Sequence, residues 1–172
     1  RREQYRIADN PARCCEIART MIFGKLSNGA ASIQRTLRDH APRVQDCGLE
    51  TAAANIRSLL PQILTVSDPD TLRGLEGVAA AAYFEVFDHM LLNRKEDFFF
   101  RGRSRRPPLD RVNAMLSFAY SLLAHDCASA LESVGLDSYV GFLHRDRPGR
   151  QSLALDLMEE LRPCVADRFV LT

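Results

Sequence analysis

Apolar residues recur three and four positions apart along most of the chain, and no run of alternating β-branched residues interrupts them. This pattern constrains the fold most strongly, because a 3.6-residue repeat lays side chains along one helix face whereas a strand needs a period of two. The chain therefore reads as all-α. Its 172 residues suit one multi-helix domain, long enough to bury roughly 70% of the surface of the unfolded chain.

Turn residues divide the repeat into segments. A first helix is expected from about Pro11 to Asp39, with Asn10 as its cap, Pro11 in its first turn and Pro42 marking its end. Ser27-Asn28-Gly29 should loosen it, since glycine costs about 1 kcal/mol relative to alanine inside a helix. A second helix, from about Leu49 to Leu64, carries Ala53, Ile56, Leu59, Leu60 and Ile63 as its stripe. Ser67-Asp68-Pro69-Asp70 closes it and starts a third, which turns Leu72, Leu75, Ala79, Ala82, Tyr83, Val86 and Met90 inward. FFFRGRSRRPP, from Phe98 to Pro108, has no period and reads as a connector. A long helix should follow from about Leu109 to Ser133, with Met115, Phe118, Leu122 and Leu123 in the core and Gly135 as its stop. A last helix, from about Ser152 to Leu161, is expected to end at Pro163.

Hydrophobic residues at 46% and charged residues at 26% exclude a disordered chain, and no apolar run approaches a membrane span. The opening Arg1-Arg2-Glu3-Gln4 has neither an initiator methionine nor an apolar signal core, so a fragment of a larger protein is expected. Five cysteines (Cys14, Cys15, Cys47, Cys127, Cys164) lack CxxC spacing, which argues against a disulfide framework or structural zinc and suits a reducing cytoplasm. A net charge of +1 supplies no global attraction to nucleic acid, so any DNA contact must come from local patches. Only Lys25 and Lys95 among the 23 cations are lysines. An arginine excess suits bidentate phosphate contacts, and genomic base composition accounts for it equally well.

Three places could carry chemistry. Glu76, in GLEG, lies close to the buried stripe of the third helix and needs a cation there, whether arginine or metal. Gly74 and Gly77 beside it suggest a close approach to the backbone, or a helix crossing with Glu76 paired to an arginine. Asp156 and Glu159, three residues apart in LALDLMEELR, project from one face, with Leu153, Leu157 and Leu161 towards the core. An ordinary amphipathic helix with a charged edge has the same pattern. His144, in GFLHRDRPGR, stands where its ring could point into a crevice, or rest at the core edge against Asp146 or a backbone carbonyl. Together two carboxylates and an imidazole suit Mg²⁺ or Mn²⁺ working on phosphate better than structural Zn²⁺.

GLEG, then RRPPLDRVNAMLSFAYSLL, then GLDSYVGFLHRDRPGRQSLALDLMEELRP resembles the carboxy-terminal helical domain of the CRISPR-associated integrase, the first of the two proteins universal to spacer acquisition. ARTMIFGKLSNGAASIQR in the first helix resembles the same family, so the likeness covers nearly the whole chain. It implies a metal site of Glu76, His144 and Glu159, with Asp156 as the second acid of the last helix and Glu159 ahead of it as direct ligand. Asn113 and Tyr120, in the N-x-x-L-S-F-x-Y stretch, are implied to line the site. The resemblance further implies an endonuclease and integrase that joins spacer 3′-hydroxyl ends into the repeat array by transesterification. It also implies a homodimer, a small ferredoxin-like partner protein, an amino-terminal β domain and a prokaryotic cytoplasmic setting. Integration should weaken without that β domain, whereas metal binding should survive.

Arg101, Arg103, Arg105 and Arg106 in the connector, and Arg145, Arg147 and Arg150 around His144, could hold DNA phosphates, or be solvated loop charges. Phe98, Phe99 and Phe100 suit core packing better than base stacking. Two rival readings remain: a helical phosphohydrolase built on His125-Asp126 or Asp88-His89, and a non-enzymatic interaction module.

Overall fold

The computed structural model describes residues 1–45, 47–144 and 147–172. The chain runs through α1 (Arg2–Ala8), α2 (Pro11–Val44), α3 (Leu49–Thr65), α4 (Pro69–Glu85), α5 (Phe87–Met90), α6 (Arg111–Ser133) and α7 (Ser152–Leu161). A π-helical segment (Arg162–Asp167) and α8 (Arg168–Leu171) complete it. No strand occurs among the described residues, in line with the all-α expectation. Helix α1 was not anticipated.

Helix α2 is the spine. Asn10 caps it, accepting a hydrogen bond from Arg13 N at 3.2 Å. Its buried stripe of Ala18, Ile22, Leu26, Ala30 and Ile33 packs against α3, α4 and α7. Contrary to expectation the helix is not loosened at Ser27-Asn28-Gly29. Gly29 is buried against the Tyr83 ring, and tertiary packing outweighs its poor propensity. The break falls at His40 (φ −138°, ψ 27°), two residues before Pro42, whose ring and missing N–H disturb the preceding turn.

Helix α3 carries the anticipated stripe, with Ala53, Ile56 and Ile63 buried and Leu59 and Leu60 half-buried. Asp68 starts α4 by accepting from Thr71 N at 2.7 Å. The third helix stops at Glu85 and restarts as α5 instead of running unbroken to Met90. Phe84, Phe87 and Phe100 meet at that corner, Phe87 and Phe100 with centroids 4.9 Å apart. Phe100 thus anchors the connector in the core, while Phe99 is 40% exposed beneath Arg101.

On α6 the core stripe is Val112, Leu116, Ala119, Leu123 and Cys127. The expected core positions Phe118 and Leu122 are 64% and 52% exposed, so the buried face is rotated from the anticipated one. Gly135, at φ +79°, ends the helix, with Leu136 N donating to Leu131 O at 2.9 Å. Helix α7 ends at Leu161 as expected, but helical structure continues beyond Pro163. With no N–H to offer, it stands at the start of a π turn that carries the chain on to α8. Among the described residues no helix is long and apolar enough to cross a membrane, and no cysteine takes part in a disulfide.

Candidate functional site

His144 sits in the loop between α6 and α7, and that loop is pinned from four sides. The Gln4 amide of α1 donates to Asp137 O at 2.7 Å and Val140 O at 3.0 Å. Arg73 of α4 donates to Leu143 O at 3.2 Å. The Ser138 carbonyl accepts from Leu153 N at 2.9 Å, at the start of α7. Asp156 holds the tip: Oδ2 accepts from Phe142 N at 2.6 Å and Leu143 N at 2.9 Å, and Oδ1 from His144 N at 3.0 Å. Close approach here requires Gly141, where a Cβ would stand 2.8 Å from Ser152 Cβ and 2.9 Å from its backbone carbon.

Asp156 Oδ1 also lies 2.5 Å from His144 Nδ1. A carboxylate only accepts, so Nδ1 carries the hydrogen, and Nε2 is the ring nitrogen left to face the cleft. That nitrogen faces Glu159 Oε1 at 3.8 Å. The fully buried Asp156 thus orients the imidazole, while Glu159, one turn on, reaches the cleft. Both acids are more buried than Leu157 and Leu161, contrary to their expected place at the core border.

Glu76 arrives from α4 and Lys25 from α2. The Lys25 ammonium hydrogen-bonds Glu76 Oε1 and lies 2.6 Å from Glu159 Oε2. The second contact lacks hydrogen-bond angles, leaving Glu159 Oε2 a buried acceptor with only a cation for company. Arg162 meets Glu159 Oε1 at 2.7 Å. Burial pushes the Glu159 carboxyl up, but the Lys25 and Arg162 charges outweigh it and hold the group below its ordinary value. Among the described residues no three His, Cys, Asp or Glu side chains are gathered closely enough to ligate an ion. Glu76 and Glu159 instead both meet the Lys25 ammonium, and His144 Nε2 stands beside the Glu159 oxygen that Arg162 holds. Two carboxylates on one cation, with an imidazole nitrogen beside them, are a donor set that suits a hard divalent ion.

These groups line a cleft of 1010 Å³. Beneath them the Tyr120 phenol donates to Asp167 at 2.5 Å, with the Arg103 and Arg162 guanidiniums 5.3 and 5.1 Å from its ring centroid. Among the described residues six cations line the cleft (Lys25, Arg105, Arg106, Arg147, Arg150 and Arg162) against three carboxylates (Glu76, Glu159 and Asp167). The positive patch that the overall charge of +1 conceals is therefore concentrated here.

Several expectations need correction. Arg101 does not line the cleft, and Arg103 is half-buried, donating to Asn113 Oδ1 at 2.8 Å and to the Ser104 carbonyl. Arg145 and Asp146 lie outside the described residues. Asn113 does not line the cleft: its buried amide bonds Gly102 O at 2.8 Å and Asp110 at 2.7 Å, and its oxygen accepts from Ser104 N at 2.9 Å. It shapes the connector that presents Arg105 and Arg106. Among the described residues nothing outside their own helix turn lies within 4 Å of a would-be Cβ at Gly74 or Gly77, so close packing by these does not explain them. His125, Asp126 and His89 are exposed, Asp88 binds Phe100 N and Lys95, and none of these four faces the cleft. Sequence reasoning missed Lys25, Arg162 and Asp167. Lys25 had left a signal: it stands three residues after Ile22 and four before Gly29, on the buried side of α2.

The fold and this cleft define a class: an all-helical protein in which acids, an imidazole and a basic rim from four distant segments share one opening. Residues 1–172 match the family model of the CRISPR associated protein Cas1, and the chain belongs to that family. It is 52% identical over its whole length to a Rhodospirillum rubrum protein named CRISPR-associated endonuclease Cas1 2, covering 50% of that protein. It is 48% identical to a Chlorobaculum tepidum protein named CRISPR-associated endonuclease Cas1 1, again covering 50% of it. The chain thus spans about half the length of these curated relatives. Among solved structures, a casposase bound to integration product superposes with a TM-score of 0.81 at 30% identity, over 98% of this chain and 47% of that one. A Cas6-RT-Cas1–Cas2 complex gives 0.81 at 27%, over 98% of this chain and 17% of that one.

Proposed function

We propose that the cleft binds DNA and that Glu76, His144 and Glu159 hold Mg²⁺ or Mn²⁺ there, in an endonuclease and integrase of CRISPR adaptation. The observation that carries this reading is that Glu76 and Glu159 meet one ammonium, with His144 Nε2 3.8 Å from Glu159, in one arginine-lined cleft. A bound divalent ion would supply Lewis-acid polarisation of a DNA phosphate and activation of the attacking hydroxyl.

The protein's own part is positioning and charge. Arg105, Arg106, Arg147 and Arg150 line the opening and would hold backbone phosphates without reading sequence. Asp156 keeps the hydrogen on His144 Nδ1, so the imidazole serves through Nε2 as a ligand and not as a base. Arg162 fixes one oxygen of Glu159 and leaves the other to the Lys25 ammonium. A DNA 3′-hydroxyl attacking the held phosphate exchanges one phosphodiester for another with no external energy. Water in its place gives strand cleavage.

On the same reading the whole protein joins spacer precursor DNA to the repeat as a homodimer with a small ferredoxin-like partner and an amino-terminal β domain. The likeness to a casposase bound to integration product and to Cas1–Cas2 complexes supports this. Cleavage and strand transfer on branched DNA with Mn²⁺ provide the test. His144→Ala and Glu159→Gln should each lower the rate at least about a hundredfold, the scale lost with one preorganised charge-stabilising group. Native rates in either variant, or undiminished cleavage in EDTA, would contradict the reading.

A further inference from the structure

We infer that Lys25 is a resident counter-ion that holds Glu76 and Glu159 together in the metal-free protein and competes with the divalent ion for them. This rests on the reading that these two acids are metal ligands. Among the described residues the ammonium alone touches both: it hydrogen-bonds Glu76 Oε1 and stands 2.6 Å from Glu159 Oε2. Its side chain is 15% exposed, between a Glu159 that is 5% exposed and a Glu76 that is 25% exposed. Two carboxylates sharing so enclosed a space repel one another, and an unpaired buried charge is strongly destabilising. Arg162 meets only the far oxygen of Glu159, and among the described residues it is Lys25 that pairs with Glu76. Lys25 therefore meets a need that Arg162 does not.

The chemistry of the contact suits exchange. A lysine ammonium is a compact charge on a four-carbon stem, with no planar fork to lock it to either acid. Its contact with Glu159 lacks hydrogen-bond geometry, so that oxygen is open to a better-placed cation. The stem comes from α2 and the acids from α4 and α7, so withdrawal of the ammonium needs only side-chain rotation and leaves the helices in place. The site is then prearranged before metal arrives, at the expense of affinity. If the bridged state is populated about nine-tenths of the time, apparent metal affinity falls about tenfold.

The chain contains two lysines, Lys25 and Lys95, and Lys95 is engaged with Asp88 outside the cleft. Protein labelled only at the lysine ε-carbons should thus give two signals. Adding Mg²⁺ should shift the Lys25 signal and leave that of Lys95 in place. In parallel, Lys25→Met keeps the stem and removes the charge. It should melt lower than the native chain in EDTA and bind Mn²⁺ at least about tenfold more tightly by calorimetry. Lys25→Gln serves as a second variant should the first not fold. Equal or weaker Mn²⁺ binding by a folded variant, or an unmoved Lys25 signal at saturating Mg²⁺, overturns the competition while leaving the metal site standing. Absence of Mn²⁺ heat from both native and variant chains overturns the metal reading, and the competition with it.

Discussion

Asp156 and Glu159 differ by three positions in one helix, yet they do opposite work. Asp156 has no exposure and accepts three backbone amides besides the His144 ring. Glu159 meets only cations and the imidazole edge. Asp156→Ala should therefore strand the Phe142, Leu143 and His144 amides. A buried donor left unsatisfied costs about 1 to 3 kcal/mol, so a loss of about 3 kcal/mol or more is expected in chemical denaturation. Faster hydrogen exchange at those three amides should accompany it. An Asp156→Ala variant of native stability and protection would show that the loop holds itself.

The π-helical segment joins two charged layers of the cleft, with Arg162 at its start against Glu159 and Asp167 at its end beneath Tyr120. Burial pushes the Asp167 carboxyl from 3.8 up to about 6, and the Tyr120 hydrogen bond and the Arg162 charge only partly counter it. The folded chain then keeps a proton that the unfolded chain has already lost. The stability this group contributes is complete below about 3.8 and is lost as pH rises through about 6. Asp167→Asn cannot ionise, so its stability relative to the native chain should climb by about 3 kcal/mol across that window and then level off. Denaturation curves at several pH values check this, and a flat difference would refute it.

At this scale legibility was uneven for physical reasons. Caps and stops depend on local chemistry, and Asn10, Asp68 and Gly135 act as their residue types suggest. Continuation depends on packing, which explains the uninterrupted helix at Gly29 and the persistence of helical structure past Pro163. The exposed faces of Phe118 and Leu122 show that periodicity gives a stripe without saying which of two adjacent stripes turns inward. Glu76, His144, Asp156 and Glu159 stood out as acids and a histidine in apolar settings. Lys25 did not, because its pairing across α2, α4 and α7 exists only after folding, and Arg162, three residues after Glu159, lies past the expected end of the last helix.

For the molecule as a whole, charge distribution matters more than its total. Four arginines of the connector and the His144 loop line the cleft, while the net charge is +1. DNA affinity should therefore fall steeply with salt. Replacing both Arg147 and Arg150 by alanine should flatten the slope of log affinity against log salt by about 2, because each phosphate that a cation no longer neutralises removes about 0.9. An unchanged slope in a filter-binding or fluorescence titration would move the DNA path elsewhere.

The central claim is that Glu76, His144 and Glu159 serve one divalent ion. Diffraction at the manganese edge from crystals grown with Mn²⁺ measures this most directly. The account predicts a single strong anomalous peak in contact with Glu76, Glu159 and His144 Nε2, with the Lys25 ammonium displaced from at least one acid. A peak lying elsewhere at saturating Mn²⁺, or none within the cleft, would contradict it.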